Sequence, residues 1–247
     1  MKRTLLLAMA ALSLLLGACV NHNPAAVMHQ RMNAEQATFP TKLVLLPLDV
    51  SVSQVTASGN VDEDPVWCEQ ARKSLSQAVQ RELAARPSFV INPLPKLNET
   101  EQARLDEHLA LFDLVAGNAI TAVNNQSPAW NYKRQKFDYS IGPGLADFRE
   151  KAGADVALII IANDFISTGG RKAMSVAATM LGVAPAMGYA GIYAGIVDLQ
   201  TGDILWLDYF VSYAEKSLLK EADVDEMVKA LFQDLPAAQG INHAQKD

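Results

Sequence analysis

The run Ala154-Asp155-Val156-Ala157-Leu158-Ile159-Ile160-Ile161-Ala162 constrains the fold more than any other part of this chain. It is too short for a buried helix and shows no polar alternation, so it reads as a strand covered on both faces. Such a strand needs helices packed on it, which points to a layered α/β domain with a mixed sheet, in two or three layers.

The rest of the chain supplies the partners. Thr41 to Val52, with Lys-Leu-Val-Leu-Leu-Pro-Leu at its start, is a short apolar run broken by Pro47 and reads as a strand with the proline near its end. Asp64-Pro65 places an N-cap before a proline at the first helical position. Trp67, Ala71, Leu75, Ala78, Val79 and Leu83 then recur on one helical face until Arg86-Pro87. Phe89 to Ile91 is a second short strand. Asn98 with Glu101 forms a capping box ahead of a long helix carrying Leu105, Leu109, Phe112, Ala116, Ala119, Ile120 and Val123. Pro143 to Ala152 is a short helix stopped by Gly153.

Tyr189 to Leu199 alternates with period two, Tyr and Gly on one side and Ala and Ile on the other. The turn Asp198 to Asp203, with Gly202 placed for positive φ, returns the chain through Ile204 to Tyr213, so a β-hairpin is expected. Glu221 to Leu235 is a last helix with Val224, Met227, Val228, Leu231 and Phe232 inward.

The first residues follow a different logic. Met-Lys-Arg, an apolar stretch from Leu5 to Leu16 and Leu16-Gly17-Ala18-Cys19 form a charged, an apolar and a small-residue cleavage region. The apolar stretch falls short of the ~20 residues that span a bilayer. A cysteine directly after Gly-Ala resembles a lipobox, in which the thiol of Cys19 takes a diacylglyceryl group. Several acyl chains at ~0.8 kcal/mol per buried CH₂ then hold the protein on a membrane. In lipoproteins of this kind an Asp after the cysteine favours inner-membrane retention. Val20 stands there in this chain, so the expectation is the outer membrane, lipid-anchored, on the periplasmic side. The expected division is a signal peptide over 1–18, a lipidated flexible tether over 19–40, an α/β domain over 41–235 and a mobile tail over 236–247.

With Cys19 lipidated, Cys68 has no partner for an internal disulfide, and its place beside Trp67 on an apolar stripe gives it a structural role. The formal net charge of -6 excludes a nucleic-acid binder. The mixed aromatic and basic segment Trp130, Tyr132, Lys133, Arg134, Lys136, Phe137 and Tyr139 therefore reads as a loop whose rings pack down while its charges face water.

Early strand Lys-Leu-Val-Leu-Leu-Pro-Leu, later strand Gly-Ala-Asp-Val-Ala-Leu-Ile-Ile and hairpin Val-Asp-Leu-Gln-Thr-Gly-Asp-Ile-Leu-Trp together resemble the superfamily sharing the fold of the TolB amino-terminal domain. Its lipoprotein members include the curli secretion pore CsgG, the penicillin-binding-protein activator LpoB and the exopolysaccharide component PelC. The resemblance spans roughly Thr41 to Leu235 and implies a scaffold that contacts other envelope proteins or forms rings. Asn98 to Gly142 departs from that pattern.

Catalytic motifs are missing from the sequence: there is no G-x-S-x-G, H-E-x-x-H or C-x-x-C, and nothing asks for a metal or cofactor. His22 and His29 fall in the expected tether and His243 in the tail, while His108 reads as a solvated residue on the polar side of the long helix. Asp164 and Asp198 sit at strand ends, where a carboxylate is more simply a turn former than a catalyst. The segment Ala173 to Ala190 is long, small, methionine-rich and nearly uncharged. It is either an inner helix and turn, or an interface for self-association or membrane contact through Met174, Met180, Leu181 and Met187. The leading expectation is a non-enzymatic accessory component of an envelope assembly, secretion or export complex, with the membrane, other envelope proteins and copies of itself as partners. A regulator that binds and activates a peptidoglycan synthase comes second, and a hydrolase third.

Overall fold

The computed structural model describes residues 21–22, 26–33, 38–124, 132–133, 136–180, 188–213 and 216–237. The expected buried run lies at its centre as β7 (Val156–Ser167), whose first seven residues are all buried. Antiparallel to it runs β8 (Gly188–Asp198), and beyond that β9 (Ile204–Ser212), which is the predicted hairpin.

On the other side β7 pairs in parallel with β3 (Lys42–Leu45) over its first half and with β4 (Asp49–Val55) over its second. The single strand expected over Thr41 to Val52 is thus two strands. Leu45 faces Leu158 and Asp49 faces Ile161, so four steps on one side span three on the other. That extra residue is a bulge at Pro47, where the missing N–H cannot serve the ladder, and pairing resumes beyond it instead of ending. β4 then folds back through Thr56 to Asn60 onto β5 (Val61–Glu63), a hairpin the sequence reading lacked. β6 (Val90–Asn92) adds an edge strand parallel to β3.

Helices cover both faces, giving three layers. α1 (Pro65–Ala84) and α5 (Glu221–Leu231) bury Ala71, Leu75, Val79, Val224, Met227 and Val228 against Leu158, Ile160, Ile192 and Trp206. α2 (Glu99–Asn124) and α3 (Ala146–Ala152) pack Leu105, Phe112, Ala116 and Phe148 against Val44, Ala157, Ile159 and Leu207. The caps are as the sequence implies. Asp64 accepts hydrogen bonds from the amides of Val66 and Trp67 at 2.9 and 3.1 Å. Asn98 and Glu101 exchange reciprocal bonds of 2.8 and 2.9 Å. Helix α2 approaches β8 closely because Gly195 has no side chain: a Cβ there would lie 2.5 Å from the Phe112 ring.

Ordered structure begins before Thr41. Within the stretch expected to be a tether, β1 (Asn21–His22) and β2 (Val27–Met28) both pair antiparallel with β9. Met32 and Phe39 are buried, and the Arg31 guanidinium binds Asp198 and Asp203 at the hairpin turn. The polar composition of 21–40 hides these anchors, because each is a single residue fixed by a partner far along the chain. The tail from 238 onward, expected to be mobile, lies outside the described residues.

Candidate functional site

The strands of one half of the sheet finish together where β7 ends. At that end the chain leaves β7 into α4 (Gly169–Met180), re-enters at Gly188, and leaves β9 at Ser212. Period-two alternation and the hairpin register then place aromatic rings side by side. Tyr193 stands opposite Tyr209, Gly191 opposite Val211, and Tyr189 beside Tyr213 at 6.4 Å between ring centroids. Phe165 on β7 packs against Tyr189 at 4.9 Å. All these side chains except Gly191 rise from the face that α2 covers, and Gly191 provides a floor without a side chain.

The result is an open recess of about 560 Å³ lined by Ile120, Asn163, Tyr189, Gly191, Tyr193, Tyr209, Val211 and Tyr213 among others. Among the described residues no carboxylate, lysine or arginine lines it. Burial raises the Tyr189 pKa, with Tyr213 adding to it. Burial also raises that of Tyr193, reinforced by the hydrogen bond its hydroxyl donates to Asp113. Asp49, nearby, is likewise raised by burial and then by the Asp113 charge. A concave, ring-lined surface with a few hydroxyls and one amide has the composition of a recognition surface.

Helix α4 carries two of the residues singled out in the sequence. Met174 is 46% and Met180 82% exposed, with Val176 at 54%, and Ser175 alone among its residues is buried. An inner helix would bury a whole stripe, so for 173–180 the interior reading is wrong. Alanine, valine and methionine make a helix of either kind, and only the neighbours decide which. Leu181, Met187 and Cys19, the residue expected to be lipidated, lie outside the described residues.

Asp164 is not at a strand end. It sits inside β7, is 3% exposed, and accepts hydrogen bonds from the Ser217 hydroxyl at 2.7 Å and the Leu218 amide at 2.8 Å. Its pKa is raised by burial against those two bonds, which lower it. The carboxyl pins the loop that leads into α5. Asp198 is the turn former expected, accepting from the amides of Gln200 and Thr201. His108 is buried instead of solvated: its Nδ1 lies 2.8 Å from the Arg104 carbonyl and its ring fills the space where Gly144 has no side chain. His29 is buried too, and burial lowers its pKa. Cys68 is buried, its Sγ accepting from the Val52 amide at 3.2 Å. In the aromatic and basic segment Phe137 is buried while Tyr132 is exposed, and Trp130 and Arg134 lie outside the described residues.

Among the described residues no three His, Cys, Asp or Glu side chains converge as a metal site, and no helix is long and apolar enough to cross a membrane. The recess itself was missed in the sequence. The Tyr-Gly-Tyr-Gly side of β8 was visible, but that it meets Tyr209 and Tyr213 depends on the hairpin register.

No protein-family model and no curated protein sequence matches the chain. Among solved structures it is similar to a PelC dodecamer from Paraburkholderia phytofirmans, at 9% identity and a TM-score of 0.38, over 88% of this chain and 99% of that one. A second PelC dodecamer from the same organism gives 9% and 0.36, over 88% and 98%. Lipoprotein GNA1162 from Neisseria meningitidis gives 9% and 0.27, over 72% and 85%.

Proposed function

We propose that this chain is a lipid-anchored accessory protein of the bacterial envelope, held at the outer membrane through Cys19, facing the periplasm, and acting by binding other proteins, with copies of itself first among them. The observation that carries this reading is the neutral recess between the end of α2 and the sheet. It offers rigid amphipathic rings around a bare Gly191 floor, which is the composition of contact surfaces more than of reaction sites. No catalytic step is assigned to Asp164, whose two acceptor bonds fasten a loop.

Thr121 stands exposed on the rim of the recess and Glu107 exposed on the same helix well away from it. Thr121→Cys in intact envelopes is expected to give a bismaleimide-linked product of twice the chain mass, and Glu107→Cys is expected to give none. A product of another mass would make the occupant a different envelope protein. No product at Thr121 would remove the recess as the contact surface.

A further inference from the structure

We infer that the α4 end of the sheet rests on the lipid bilayer, so that Met174, Val176 and Met180 face the acyl-chain boundary and the hairpin turn at Asp198 to Asp203 points away from it. This rests on the lipidation of Cys19 and goes beyond it, because an anchor on a long leash would leave the domain free to tumble.

Chain length and chain direction carry the argument. Asn21 is paired with Ser212 and His22 with Val211, antiparallel to β9. Moving back from Asn21 toward Cys19 therefore continues past Ser212, at the end where Tyr213 and α4 lie. Two residue steps, with only Val20 between, separate the acylated cysteine from Asn21 in the sheet, which at ~3.3–3.6 Å per residue is a reach of about 7 Å. Acyl chains attached so closely cannot enter a bilayer unless this end of the sheet lies against it.

The surface there is suited to that position. Five of the large apolar side chains that the fold leaves exposed, Val61, Val66, Met174, Val176 and Met180, are on elements that meet at this end. Helix α4 offers Met174, Val176 and Met180 with little inward packing, as a helix lying in an interface does. Arg171 and Lys172 lie in the first turn of the helix, and Lys172, Lys216 and Lys220 line a cleft beside it together with Asp164. Lys216 and Lys220 are partly offset by Glu226 and Asp223, and Asp62 and Glu63 lie on β5 at the same end, so the apolar contact is the main attraction.

The test uses the full-length lipidated protein on vesicles of phosphatidylethanolamine and phosphatidylglycerol. A bimane label is placed in turn at Met180→Cys, Met174→Cys and, at the opposite end, the exposed turn position Gln200→Cys. Cys68 is buried and out of reach of the label. Lipids carrying a nitroxide high on the acyl chain should quench the labels at 174 and 180 several-fold more than the label at 200. Equal quenching on protein that floats with the vesicles overturns the orientation while leaving lipidation standing. An unlabelled wild type that does not float overturns lipidation and the orientation with it. A disulfide-linked or bismaleimide-linked dimer through position 180 in intact envelopes would give this face to a second copy, and also overturns the inference.

Discussion

Asp208→Asn should stabilise the protein at pH 8 by about 4 kcal/mol and have almost no effect near pH 4. Asp208 lies on β9 in the face packed by α5, between Trp206 and Phe210, and is 1% exposed. One carboxyl oxygen accepts from the Tyr209 amide at 2.7 Å, and the other has no hydrogen-bond partner among the described residues. Burial pushes its pKa up to about 7, opposed by the Tyr209 amide and assisted by Asp234. An unfolded aspartate titrates near 4, so between pH 4 and 7 the unfolded state has lost a proton that the folded state still holds. Stability falls with rising pH at about 1.4 kcal/mol per unit across that window and levels off above it. Asparagine keeps the acceptor and carries no charge, so the difference between variant and wild type grows across the same window. Urea unfolding at pH 4, 5.5, 7 and 8 measures it. A difference that is flat with pH would show that the carboxyl is reached by water or by a partner in the folded protein.

Gly202→Ala is expected to cost about 3 kcal/mol or more, against about 1 kcal/mol for Gly59→Ala. Both glycines have positive φ, 75° at Gly202 and 89° at Gly59, so both substitutions incur the ~1–2 kcal/mol left-handed penalty. The difference lies in the surroundings. A Cβ on Gly59 meets nothing within 4 Å, whereas on Gly202 it would lie 1.9 Å from the Gly142 carbonyl oxygen. That backbone cannot yield without cost, because the Ile141 amide donates to the Gly202 carbonyl at 2.9 Å and the Ile204 amide to the Tyr139 carbonyl at 3.0 Å. Displacing 139–142 also disturbs Asp198 and Asp203, which hold Arg31. Thermal melts of the two variants side by side isolate the crowding, and equal losses would contradict it.

Signals confined to a few neighbouring residues were legible in the sequence. The unbroken apolar run became the central strand, Asp64-Pro65 and Asn98 with Glu101 became helix caps, and the turn at Gly202 closed the hairpin. Features set by distant partners were not. Pro47 reads as a strand end until β7 is seen pairing on both sides of it, and Met32 and Phe39 look like tether until β9 and the core are in place. Asp164 looked like a turn residue because Asn163 and Asp164 interrupt the apolar run, but Ser217 and Leu218 arrive from 53 and 54 residues away to satisfy it. For the recess, the two tyrosines of β8 could be read from their spacing, and Tyr209 on β9 and Tyr213 just beyond it could not. For α4, composition identified the segment as unusual without saying which side of it would be covered.

The α4 orientation and the envelope role both require acyl chains on Cys19. Mass spectrometry of the mature protein extracted from membranes tests this most directly. The expected result is a chain beginning at Cys19, with residues 1–18 removed and the diacylglyceryl and amide-linked acyl masses on that first residue. A chain recovered from the soluble cytosolic fraction with an unmodified Cys19 and residues 1–18 still attached would contradict it.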